Sequence, residues 1–139
     1  MKNFRKLALI LTLILATLLT GTTAFAAETD SGIMPRYTHA DNVRFSFSAT
    51  TDGGEIEAVY YGNSSFARAD LNVKVEKRNL LVFWKDVYEW NASSTTQNGR
   101  FSYVCPLDGS GKYRATFTLT ITGTNGTTDV ITETIESKY

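Results

Sequence analysis

The sequence predicts an all-β protein, a single antiparallel β-sandwich. Three observations carry that prediction. Residues 113–123, YRATFTLTITG, alternate apolar and polar side chains from Tyr113 to Thr122, the period of a strand with one face buried. Similar runs recur along the chain, separated by clusters of Gly, Asn, Asp, Ser or Pro about every eight to twelve residues. No helical period is visible after the first 26 residues. About seven to eight strands result, and a small closed barrel is the alternative arrangement.

The N-terminal stretch stands apart. Lys2, Arg5 and Lys6 are followed by the apolar run LALILTLILATLL and then by small residues at Ala24 and Ala26. This is the order of a secretory signal peptide, and cleavage is expected after Ala26. An uncleaved membrane anchor is the alternative. The 139-residue chain has 14 basic and 14 acidic residues; three of the basic ones lie in the first 26, so residues 27–139 keep 11 against 14. A nucleic-acid partner is not expected, since no concentrated basic footprint exists. Cys105 is the only cysteine, so no intrachain disulfide can form, and the domain must rely on its core. No cysteine follows the signal for lipid attachment, and TETIESKY carries neither a sorting motif nor an apolar tail. The product is expected to be secreted from a bacterial cell and either released or held only non-covalently, with no stable membrane anchor after cleavage.

Residues 27–40, AETDSGIMPRYTHA, read as a mobile arm in which Pro35 discourages helix, with Ile33-Met34 or Tyr37 docking on the domain. The domain itself is expected over 41–139. VRFSFSAT places Val43, Phe45, Phe47 and Ala49 inward; TDGG turns; EIEAVYYG places Ile56, Ala58 and Tyr60 inward. ADLNVKVEKR directs Leu71, Val73 and Val75 inward. NLLVFWKDVYEW is rich in β-branched and aromatic residues and reads as strands around Leu80–Trp84 and Val87–Trp90, or as one element with a bulge. NASSTTQNG reads as a loop, RFSYVCP as a strand ended by Pro106, and LDGSG as a turn. TNGT, with Asn125-Gly126, signals a two-residue hairpin before the last strand, DVITETI.

Two resemblances follow from particular residues. GSGKYRATFTLTITGTNGTTDVITE, the IMPRYTH stretch and FWKDVYEW with Trp84 and Trp90 resemble a loose group of small secreted proteins of Firmicutes without an assigned function. That resemblance implies a secreted β-sandwich and no activity. Asp108, Gly111 and Tyr113 are similar to the tyrosine corner of immunoglobulin-like domains, in which a Tyr ties down the turn before its strand. Ala115 stands where an antibody domain has its second cysteine, and the Asp lies one residue farther from the Tyr than the motif implies.

Residues for catalysis are scarce. His39 is the only histidine, and in a mobile arm it has little to hold it rigid, so no triad is expected on it. No metal site is expected from one His and one Cys, and no cofactor. Asn63-Ser-Ser65, Asn91-Ala-Ser93 and Asn125-Gly-Thr127 fit the glycosylation pattern, which matters only in a eukaryotic secretory route. Cys105 shares a face with Phe101 and Tyr103 and is expected as a small buried hydrophobe rather than a reactive thiol. Glu55 and Glu57 share one face of a strand and are the only basis for a carboxylate hydrolase. DGSGK has too few oxygen ligands for calcium and no strand–loop–helix context for phosphate.

Aromatic residues are the functional lead. Tyr60, Tyr61, Trp84, Tyr88 and Trp90 exceed what one core face needs, and exposed rings of this kind stack against sugars. Tyr61 is expected to be the most exposed, by its parity, and Trp90 to lie in the core. The threonine row 116, 118, 120, 122 reads as the wet side of a sheet, because a lattice-binding array needs several neighbouring strands and the row is expected on one. The expected function is a non-catalytic module that binds a cell-envelope glycan or a surface protein. The alternatives are an extracellular structural or bacteriocin-like effector and, last, a small secreted hydrolase.

Overall fold

A computed structural model describes residues 37–80 and 82–139; the expected signal peptide, 1–26, and the expected arm as far as residue 36 lie outside the described residues. Residues Pro35–Tyr139 form a compact unit by themselves, and the whole core cluster belongs to it. Seven strands follow one another: β1 (Ala40–Thr50), β2 (Gly53–Gly62), β3 (Phe66–Asn79), β4 (Phe83–Ser94), β5 (Asn98–Cys105), β6 (Lys112–Gly123) and β7 (Thr128–Lys138). They build one sheet ordered β1-β2-β5 and a second ordered β4-β3-β6-β7, with every pair antiparallel. The chain changes sheet after β2, β4 and β5, while β1–β2, β3–β4 and β6–β7 are hairpins. The two sheets make an antiparallel β-sandwich, and β4 lies beside β3 rather than in the sheet of β1 and β2, where antibody constant domains place their fourth strand.

The alternation read from the sequence sets the two inner faces. Tyr113, Ala115, Phe117, Leu119 and Ile121 of β6 are fully buried, and Ala69, Leu71, Val73 and Val75 of β3 are buried beside them. Ile56, Ala58 and Tyr60 of β2, Phe47 and Ala49 of β1, and Phe101 and Cys105 of β5 face them from the other sheet. Phe45 and Phe117 meet across the gap at 5.0 Å between ring centres.

The second half of the β3–β4 hairpin departs from expectation. A turn, not a strand, occupies Leu80 and Val82, and β4 begins at Phe83. The bulge allowed for in the sequence is present: Val75 pairs with Tyr88 but Glu76 pairs with Asp86, leaving Val87 as the extra residue. One extra residue reverses parity. Tyr88, Trp90 and Ala92 therefore face inward, whereas Trp84 lies on the outer face. NASS was expected as loop but continues β4, pairing Asn91 with Asn72 and Ser93 with Asp70. The final hairpin also differs in detail. Gly126 N–H donates to Gly123 O at 2.9 Å and only Gly126 has a positive φ (80°), so Asn125-Gly126 ends a three-residue turn with a glycine bulge.

Each end of the sandwich is tied by one side chain. At one end Tyr113 OH donates to Gly109 O at 2.6 Å, the tyrosine corner expected from the sequence. At the other end lies His39, and here the expectation is overturned. Its ring is 1% exposed, with Nδ1 2.8 Å from Ser65 Oγ and Nε2 2.7 Å from Thr127 Oγ1. Its backbone N–H donates to Asp129 Oδ2 at 2.6 Å. Both hydroxyls come from Asx turns: Asn63 Oδ1 accepts from Ser65 N–H and O–H, and Asn125 Oδ1 accepts from Thr127 N–H and O–H. Two of the Asn-x-Ser/Thr motifs thus clasp one imidazole. Tyr37, just before it, packs against the core as expected.

The His39 ring sits where a side chain at position 123 would be: a Cβ on Gly123 would lie 2.2 Å from His39 Cε1. His39→Ala is expected to cost about 2–4 kcal/mol, from a cavity and two orphaned hydroxyls. Gly123→Ala is expected to be destabilising in the native background and much less so beside His39→Ala. Urea unfolding of the four proteins of this cycle checks the coupling, and additive losses would contradict the packing described.

Candidate functional site

The five aromatic residues do not form one patch. Tyr60 is fully enclosed; its hydroxyl donates to Thr96 O at 2.8 Å and its ring packs against Phe66 and Phe101. It has no face left for a ligand, so its assignment as a binding residue is corrected to core. Tyr88 and Trp90 are half-buried at the seam between β4 and β5. Both stack on Tyr103, at 5.6 and 5.0 Å between ring centres, and Tyr88 OH donates to Tyr103 OH at 2.8 Å. Tyr103, which the sequence did not single out, is the middle ring of this stack. Trp90 packs against the core, and the seam uses ring faces that a sugar would need. Trp84 lies on the outer face of the four-stranded sheet under the Arg114 guanidinium, 4.4 Å from its ring centre. Arg114 in turn donates to Glu76 Oε2 at 2.6 Å.

That same face carries the threonines. Thr116, Thr118 and Thr122 pair with Thr134, Thr132 and Thr128, and Thr120 pairs with Val130. The array occupies two strands, not the single one expected. Val130 interrupts the second column, and Asp70, Asn72 and Lys74 border the first, so no uniform lattice extends across the sheet. All four β6 threonines are partly solvated, as the wet side of a sheet should be.

Tyr61 is the one of the five whose ring stands open, at 47% exposure. It lies on the outer face of the β1-β2-β5 sheet, and the register builds that face row by row. Tyr61 is flanked by Asn42 and Asn98. Val59 is flanked by Arg44 and Arg100, Glu57 by Ser46 and Ser102, and Glu55 by Ser48 and Val104. Short serines beside the two glutamates leave a depression of about 280 Å³ over them. Arg100 Nη1 reaches Glu57 Oε2 at 3.4 Å and fixes one carboxylate in place. From Tyr61 to Glu55 the strand rises about 20 Å. An open ring between two amides therefore heads a row of charged and hydroxyl groups along one strand.

These residue types suit a polyhydroxylated ligand. The Tyr ring offers an apolar face, the Asn amides both donate and accept, and carboxylates accept from hydroxyls. The same geometry is poor for bond cleavage, because Glu55 and Glu57 leave one strand in one direction, whereas glycosidic cleavage needs carboxyl groups on opposite sides of the bond. Among the described residues no three His, Cys, Asp or Glu are gathered to hold a metal ion. His39, though rigid, is sealed beneath two turns.

Of this row only Tyr61 was expected from the sequence as a binding residue; Glu55 and Glu57 were expected there only as the basis for a hydrolase. The rows Arg44-Ser46-Ser48 and Arg100-Ser102-Val104 were legible as outward residues; that both border β2 depends on strand order, which no local signal carries. The chain matches no protein-family model and no curated protein sequence.

Beneath this face lies Cys105, 1% exposed, with burial pushing its thiol above the ordinary range. Alkylation at neutral pH is expected to be slow in the folded protein and complete in denaturant. Equal rates in the two conditions would show the thiol to be accessible.

Proposed function

We propose that the protein is a secreted, non-catalytic binding module that holds a cell-envelope glycan against the outer face of β1, β2 and β5. The observation that carries this reading is the open Tyr61 ring between Asn42 and Asn98, continued along β2 by Glu57 and Glu55 between serines. A sugar stacked on Tyr61 buries an apolar face, and the neighbouring amides fix its hydroxyls. The next units of the chain run over the depression beside the carboxylates. The signal-like N-terminus and the resemblance to small secreted Firmicutes proteins support export to the compartment in which such a glycan is met.

Binding is favoured over hydrolysis because both carboxylates approach from one side. The aromatic seam of Tyr88, Tyr103 and Trp90 is structural in this reading.

Co-sedimentation of residues 27–139 with cell-wall sacculi tests it. The protein is expected to pellet at low and high salt alike, because ring stacking is not screened. Tyr61→Ala is expected to weaken pelleting by about tenfold or more without changing the melting temperature. Retention of full binding by Tyr61→Ala, or no pelleting of the parent protein, would overturn the proposal.

A further inference from the structure

The tip of the β3–β4 hairpin has a composition that folding does not explain. Leu80, Val82 and Phe83 are 79%, 72% and 69% exposed. A run of exposed apolar residues at a turn is unfavourable in water unless something covers it. Leu80 also has φ 45°, a left-handed conformation that favours Gly or Asn and strains a branched apolar residue. Directly beneath the tip lies a cleft of about 160 Å³ lined by Lys77, Arg78, Asn79, Lys85 and Asp108, three cationic residues against one acidic. Lys77 is held over the Tyr113 ring and donates to Asp108 O, so the collar is attached to the tyrosine corner and not to a loose loop. Trp84 follows Phe83 at the level of the collar.

We propose that this tip is a membrane-docking element that inserts Leu80, Val82 and Phe83 into the surface of an anionic phospholipid bilayer, while the exposed Lys85 meets lipid phosphates within the positive field of Lys77 and Arg78. Apolar residues inside a cationic collar match the layers of such a surface, in which an apolar group buried about 5–10 Å into the headgroup/acyl boundary leaves its charged neighbours among the phosphates. A tryptophan at the collar sits where indoles prefer to lie. Among the described residues no helix is long and apolar enough to cross a membrane, and the contact proposed is peripheral. It lies at the end of the sandwich away from Tyr61, because β2 runs toward Tyr61 at the His39 end while the tip adjoins the tyrosine corner. The two proposals therefore fail independently.

Vesicle co-sedimentation of residues 27–139 is the test, with phosphatidylcholine alone and with half of it replaced by phosphatidylglycerol. Binding is expected to the phosphatidylglycerol vesicles and to be much weaker to phosphatidylcholine. Leu80→Ser/Val82→Ser/Phe83→Ser is expected to abolish it with the fold intact, and Lys85→Gln to weaken it about fivefold. Leu80→Gly is expected to fold more stably yet bind less. Brominated acyl chains are expected to quench Trp84, measured with Trp90→Phe to remove the second indole. The proposal is overturned if the triple variant binds as the parent does, or if the parent ignores phosphatidylglycerol. It is equally overturned if both lipids bind alike, or if the tip instead drives concentration-dependent self-association without vesicles.

Discussion

Everything in this domain depends on the pairing of β3 with β6 at the centre of the larger sheet. With a single cysteine no disulfide can reinforce it, and the core must be sufficient. The two strands align Leu71 with Leu119, Val73 with Phe117 and Val75 with Ala115, all removed from water. Because side chains alternate across a strand, burying this row forces its complement outward. The polar face of the four-stranded sheet is thus a consequence of the core. So is the β2 face that bears Tyr61, since Ile56, Ala58 and Tyr60 are buried against the same rows.

The two ends of the sandwich show how a core of this kind is closed. The tyrosine corner joins Tyr113 to a turn four residues away and is local. The His39 clasp is not: it joins the entry to β1 with turns 26 and 88 residues distant. A local tie can form early, whereas the clasp requires both sheets to be in place. The hairpin tip adjoins the corner and Tyr61 lies toward the clasp, so the two proposed binding elements rest on differently built supports.

The fold was legible where one face is buried and the strand is regular. YRATFTLTITG announced its own inner row, and the Tyr113 corner could be read from Asp108, Gly111 and Tyr113. It was illegible where an interaction depends on register or on distant partners. The Val87 bulge reverses β4, so Trp84 and Trp90, six residues apart in an apparently continuous run, face opposite ways. The second threonine column was hidden because Val130 breaks it, and its alignment with β6 is set by the hairpin turn. The tip at Leu80 carries no Gly or Pro and so read as strand. Tyr60 and Tyr61 are adjacent and look alike; only parity against Ile56 and Ala58 separates a core ring from an open one.

The central claim is that one face of the smaller sheet is the glycan-binding surface. Amide chemical-shift mapping of residues 27–139 against solubilised cell-wall glycan tests it most directly, since it reports location as well as binding. The account predicts shifts concentrated at Ser46, Ser48, Glu55, Glu57, Tyr61, Asn98 and Ser102, with the threonine face of the other sheet unmoved. Shifts confined to that other face, or none at saturating glycan, would contradict it.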